Sequence, residues 1–215
     1  MPLLLRYGVA LSFLICVVLL SFEIVSTFAF DQRSHCAKPK AGGLRGVLYA
    51  FGRGMMPWEK ESAAKHPITY FAGVAYHAGI FAALFYIFCL ALSVELGVLT
   101  LSLLRLLLIP GFLCGLGLFL RRAFSSNMRT LSSPDDYASN LIVDAVLLLA
   151  AIDTRLGGVT HPANTTWLLL SVSIIMFLYV PLGKIRHCFF FFYVRVLLGR
   201  FYGRRGVLPP RPHEA

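Results

Sequence analysis

The stretch Val180-Pro-Leu-Gly-Lys184-Ile-Arg186-His187-Cys-Phe-Phe-Phe-Phe-Tyr193-Val-Arg195-Val-Leu-Leu-Gly-Arg200-Phe-Tyr-Gly-Arg204-Arg205-Gly206 decides how the chain is read. An apolar run enters it from Trp167. Within it, Lys and Arg begin to alternate with aromatics around one histidine, His187. A helix leaving hydrocarbon for the headgroup region has this composition, because aromatics settle at the interface and Lys and Arg gather on its cytoplasmic side. Apolar runs with basic edges recur upstream. The fold class expected is therefore all-α, an integral membrane bundle of five transmembrane helices.

Composition agrees. Of 215 residues, 58% are hydrophobic and 14% charged, where a soluble domain carries about a quarter charged. Mean hydropathy is +0.74. On a soluble domain the net charge of +10 would point toward nucleic acid; here its distribution gives it another use, and no nucleic-acid partner is expected. The five cysteines, Cys16, Cys36, Cys89, Cys114 and Cys188, are scattered and form no C-x-x-C. No iron–sulfur site, covalent c-type haem or zinc knuckle is encoded; they read as small apolar residues.

The spans are expected at about 3–30, 68–92, 98–120, 137–152 and 167–198, in a single domain over 1–215. The first exceeds the apolar core of a signal peptide and no A-x-A site follows it, so it reads as a retained span. Between the first two spans lies a basic loop, 31–67. Its semi-apolar middle, Gly43-Leu-Arg-Gly-Val-Leu-Tyr-Ala-Phe-Gly-Arg53, reads as a short interfacial helix. Pro67 suits a first helical turn. Pro110–Gly111 predicts a kink in span 3. Ser133-Pro134-Asp135-Asp136 reads as a helix start with a cap, a first-position proline and acids in the first turn. Asp153–Thr166 reads as a polar loop. The fifth helix is expected to run unbroken past His187 to about Leu198, before a basic tail, 199–215.

Seventeen of the twenty Lys and Arg fall in the 31–67 loop, the Arg121–Arg129 loop and the segment from Lys184 onward. Five spans put those three segments on one side. Only Arg6 and Arg155 lie on the other, with Arg105 inside span 3. The positive-inside rule then places the N-terminus outside and the C-terminus in the cytoplasm.

A histidine inside a span is costly unless it has a task. His77 lies within span 2 and His187 near the cytoplasmic end of span 5. Two imidazoles on facing helices can fill both axial positions of a b-type haem, which means electron transfer rather than oxygen chemistry. The competing reading is a hydrogen-bonded contact between helices. His66, at the cytoplasmic interface before span 2, is an alternative ligand opposite His187, a quinone or propionate contact, or an interfacial polar residue. His35, His161 and His213 read as solvated. Basic residues beside a haem can meet its propionates: Lys184 and Arg186 flank His187 and Arg195 lies two turns on, with membrane anchoring as the plainer use. Arg105 is placed to meet a propionate, pair with an acid or snorkel. Glu23 and Asp144, both toward the cytoplasmic half, are candidates for binding a quinone or passing its protons, against simple interhelical pairing. The Asn164-Thr-Thr sequon is too common to use. Phe189–Phe192 reads as a packing surface.

The motifs and their order carry a resemblance. Tyr76-His77-Ala-Gly79-Ile-Phe81 in span 2, Arg121-Arg122-Ala-Phe-Ser after span 3, and Pro181-Leu-Gly-Lys184-Ile-Arg186-His187 in span 5 are the residues that match. Along nearly its whole length the chain resembles the gamma subunit of respiratory nitrate reductase and the related cytochrome b subunits of sulfate-reducer membrane complexes. That resemblance implies five spans, a bilayer partner, and axial ligands to a cytoplasmic-side haem b at His77 and His187. The family's second haem would take ligands at the places of Ile87 and Leu169; both are missing, so one haem is implied. It further implies a subunit in the inner membrane of a prokaryote. Such a subunit passes electrons between menaquinone or ubiquinone and a cytoplasmic iron–sulfur partner, and is not catalytic alone. The alternative is a haem-free anchor or assembly subunit. A transporter would favour repeated halves, which the chain lacks.

Overall fold

The computed structural model describes residues 2–29, 38–60, 64–159 and 161–209; His35, Cys36 and His213 lie outside them. Among the described residues the regular structure is helical, without strands. In chain order the helices are α1 (Pro2–Ala29), α2 (Gly43–Phe51), α3 (Pro67–Ala91), α4 (Val98–Phe124), α5 (Ser126–Leu131), α6 (Pro134–Leu156), α7 (Asn164–Tyr179) and α8 (His187–Arg204). α1, α3, α4 and α6 are long and apolar enough to cross a membrane; there are up to five crossings if α7 and α8 count as one broken span. The coarse expectation of an all-helical chain compatible with a bilayer therefore holds. α1 shows the physical pattern: Leu4, Tyr7, Leu11, Leu14, Val18, Phe22 and Val25 are exposed, while Val9, Ser12, Cys16 and Leu20 are buried. A helix whose exposed face is at least as apolar as its buried one is compatible with a bilayer.

The described residues divide into two packed units, Met1–Leu19 with Ile68–Ile185, and Leu20–Pro67 with Arg186–Ala215. In the first unit, side-chain contacts give the direction of each helix. Phe13 of α1 meets Phe88 of α3 and Phe177 of α7 edge-on, at 4.9 and 5.3 Å between centroids. Arg6 donates to Ser93 Oγ at 2.6 Å and to the Val159 carbonyl at 3.4 Å. α1 therefore starts where α3 and α6 finish. α3 and α4 cross at glycines: a Cβ on Gly79 would come within 2.8 Å of Gly111 Cα and 3.1 Å of the Leu107 carbonyl. Small residues let helix backbones close up in this way where no hydrophobic force between helices is available. α4 runs through Pro110 as one helix to Phe124.

α6 begins as its sequence predicts. Asp136 Oδ2 accepts from the Ser133 N–H at 2.8 Å and its hydroxyl at 3.0 Å, with Pro134 in the first turn. It ends later than expected, at Leu156, so Asp153 is a helical residue and not part of a loop. The fifth helix differs too. α7 stops at Tyr179, Val180–Gly183 form a turn, Lys184–Arg186 a 3₁₀ turn, and α8 starts afresh at His187. Pro181 has no N–H to continue the ladder, and its ring opposes the carbonyl one turn back. The turn is then pinned by α6: Tyr179 Oη donates to the Asp135 carboxylate, the Lys184 N–H donates to Asp135 Oδ2 at 2.8 Å, and Lys184 Nζ meets Asp136 Oδ2 at 2.5 Å. Arg122 Nη1 joins Asp136 Oδ1 at 2.9 Å.

In the second unit α2 and α8 pack antiparallel, backbone on backbone. Gly46 lies against Gly199 and Gly203, where a Cβ on Gly46 would approach Gly203 Cα to 2.7 Å. Arg195 Nη1 donates to the Ala50 carbonyl at 2.7 Å, and the Phe51 ring meets Phe191 and Phe192. From the second half of α1, Thr27 Oγ1 donates to Tyr193 Oη at 3.0 Å. The segment expected as a short helix over 43–53 is thus helical over Gly43–Phe51.

Candidate functional site

His77 sits midway along α3 on an exposed stripe with Val74, Phe81 and Phe85, away from the face that buries Gly79, Ala83, Tyr86, Ile87 and Leu90. One turn below it, Gly73 faces open space. The His77 Nδ1 lies 2.7 Å from the Gly73 carbonyl. A carbonyl only accepts, so Nδ1 is the donor in this contact. A backbone carbonyl holding one ring nitrogen is the usual support of a metal-ligating imidazole. His187 is the first residue of α8 and exposed. The donor chemistry of both residues fits an axial haem ligand. Among the described residues no three His, Cys, Asp or Glu side chains gather into a metal-binding group.

Ile87 and Leu169 are core residues. Both side chains are at 0% exposure in the core of the first unit. The Phe13, Phe88 and Phe177 rings pack together in the same unit.

The basic candidates are engaged in different ways. Lys184 and Arg122 share Asp136. Arg186 Nη1 is 3.8 Å from Glu23 Oε1, while Glu23 Oε2 is buried without a hydrogen-bond partner among the described residues. Arg195 holds the Ala50 carbonyl and lies 5.1 Å over the Phe191 ring. Arg105 folds back along its own helix toward the Val98 end, donating to the Leu101 carbonyl at 3.1 Å and Ser102 Oγ at 3.0 Å. This is the snorkelling arrangement, at the opposite end of the first unit from Lys184. His66 is exposed just before α3.

Asp144 is brought into a cluster. It is 6% exposed; its Oδ2 accepts from Asn140 Nδ2 at 2.9 Å, and that amide also reaches Tyr76 Oη at 3.1 Å. Asp144 Oδ1 has no hydrogen-bond partner among the described residues. It lies against Gly115, where any Cβ would collide with it and with the Tyr76 ring. A second buried acid went unread in the sequence. Asp153, at 0% exposure, accepts from Tyr86 Oη at 2.8 Å and from the hydroxyls of Thr165 and Thr166, each at 2.6 Å. Two tyrosines ten residues apart on α3 thus face two aspartates nine apart on α6. That matched spacing was the available signal, hidden because span 4 was ended one residue short of Asp153.

No protein-family model, curated protein or solved structure matches the chain.

Proposed function

We propose that the chain is a membrane subunit of a respiratory redox complex, holding one haem b between His77 and His187. It has five crossings, with the N-terminus outside and the basic segments in the cytoplasm, in the inner membrane of a prokaryote. When bound, the haem supplies one-electron transfer between membrane quinone and an iron–sulfur partner on the cytoplasmic side. The observation that carries this reading is the His77 imidazole. It stands on an aromatic and aliphatic exposed stripe, with its Nδ1 proton committed to the Gly73 carbonyl. The filled places at Ile87 and Leu169 support one haem rather than two. The nitrate reductase gamma subunit-like motifs supply the pairing with His187.

In this reading Glu23 and Asp144, each with one buried unpartnered carboxylate oxygen, are the groups able to take up a quinol's protons. Arg186 and Arg195 hold the base of α8 beside the ligand. Haem quantification on the purified chain tests the proposal, with one haem per chain expected; two per chain, or none, overturns it. A Glu23→Gln/Asp144→Asn double variant should slow quinol oxidation, and an unchanged rate would remove the proton role. The rival haem-free anchor draws on one observation, the engagement of Lys184 by Asp136, which gives that lysine a structural task. It predicts no haem absorbance from the purified chain.

A further inference from the structure

The end of α8 carries a site that the electron-transfer reading does not use. Gly206, at φ 71°, turns the chain back on the helix. The Gly206 N–H then donates to the Gly203 carbonyl at 3.0 Å and the Val207 N–H to the Tyr202 carbonyl at 3.0 Å. A residue with a Cβ is disfavoured at that φ. From the other chain segment, the Lys40 and Ala41 N–H groups both donate to the Arg204 carbonyl, at 2.8 and 3.4 Å. These bonds satisfy a helix-end carbonyl whose partial negative charge would otherwise repel an anion. The two segments form an open concavity of about 400 Å³ lined by Lys38, Lys40, Arg205, Phe201, Tyr202 and Val207. Arg205 is held over the Phe201 ring at 5.3 Å. Among the described residues no acidic residue lines it.

We propose that this concavity binds the headgroup of an anionic phospholipid, with its phosphate among Lys38, Lys40 and Arg205 and its glycerol and first acyl carbons on Phe201, Tyr202 and Val207. Three cations on two backbone-locked segments recognise phosphate oxygens. The apolar floor selects an amphiphile over a free ion. The exposed apolar side chains of the same unit, Leu44 and Leu48 of α2 and Leu197 and Leu198 of α8, provide a surface for the acyl chains to follow. The site is independent of the haem reading and should persist in His187→Ala.

Native mass spectrometry of the full chain in detergent, titrated with phosphatidylglycerol, phosphatidylcholine or inorganic phosphate, tests it. Wild type should retain phosphatidylglycerol selectively. Lys38→Ala/Lys40→Ala/Arg205→Ala should weaken that binding by about tenfold or more. A charge-matched Arg45→Ala/Lys65→Ala/Arg129→Ala chain should bind like wild type. Lys38→Arg/Lys40→Arg/Arg205→Lys, which keeps the charges, should restore retention and guards against a folding artefact. Equal losses in the two alanine triples would reduce the effect to general basic charge and overturn the site. Saturation by inorganic phosphate at the concentrations where the lipid binds would overturn the lipid assignment.

Discussion

Asp144 and Asp153 lie nine residues apart on α6, each buried, each beside a tyrosine of α3 and each touching a glycine. Asp153 is saturated: Tyr86, Thr165 and Thr166 supply three donors from two other segments. Asp144 accepts from Asn140 of its own helix, whose amide also reaches Tyr76 across the interface, and its other oxygen has no hydrogen-bond partner among the described residues. In a low-dielectric interior, a fully bonded polar group fixes the structure around it, while a half-bonded one is costly and is retained for another reason. The comparison assigns Asp153 to holding α3, α6 and α7 together, and leaves Asp144 as the less fully bonded of the two acids.

The sharpest way to break this contrast is to remove each acid. Asp153→Ala strands three donors and leaves a cavity, and should lower stability by about 2–4 kcal/mol. Asp144→Ala should cost about 1 kcal/mol, since less is left unsatisfied. Thermal unfolding followed by circular dichroism in one detergent gives both values. Equal losses would end the distinction.

The neighbouring glycines give the next effect. A Cβ on Gly157 would collide with Asp153 Oδ1 and Thr166 Oγ1, and one on Gly115 with Asp144 Oδ1 and the Tyr76 ring. Asp153 is held by three bonds, and beside Gly115 the Tyr76 ring blocks the place even if the Asp144 carboxyl turns. Gly157→Ala and Gly115→Ala should each destabilise, within the usual range of about 1–3 kcal/mol for overpacking, read by the same thermal unfolding. Asp144→Asn should leave the melting temperature near that of wild type, because the amide keeps one acceptor and gains donors for Tyr76. A loss approaching that of Asp153→Ala would show Asp144 to be structural.

What the sequence made legible follows from what each signal measures. Hydropathy marks chain that prefers lipid, so the existence of the long helices and the start of α6 at Ser133–Pro134 were readable. Hydropathy falls off before a helix does, so it ends α6 too soon and places Asp153 in a loop. The break after Tyr179 had its proline and glycine in plain sight. It was read through because Pro181 also belongs to the motif ending in His187, and the Asp135 and Asp136 carboxylates that pin the turn come from another helix. His77, His187, Glu23 and Asp144 were found as polar residues in apolar runs. The tyrosines were not, because a tyrosine in a span is ordinary until its hydroxyl has a partner.

An acid outside the spans provides the smallest effect. Glu59 accepts from Arg53 Nε at 2.5 Å and from Tyr49 Oη at 2.9 Å. The Arg53 bond, followed by the Tyr49 bond, holds its carboxyl below the ordinary glutamate range. A lowered folded-state value means the contribution is complete above the unfolded value, about 4.3, and is lost as pH falls through the folded one. In a Trp167→Phe background, Trp58 fluorescence should stay constant down to about pH 5 and change only below about 4. Arg53→Ala should move that midpoint upward; an unmoved midpoint would detach Arg53 from Glu59.

The histidines test the account most directly. Reduced-minus-oxidised visible spectra of the purified wild type, His77→Ala, His187→Ala and His66→Ala chains should show a b-type haem signal in wild type and His66→Ala, and its loss in both other variants. Full haem retention in His77→Ala or His187→Ala, or loss in His66→Ala with retention in His77→Ala, would contradict it.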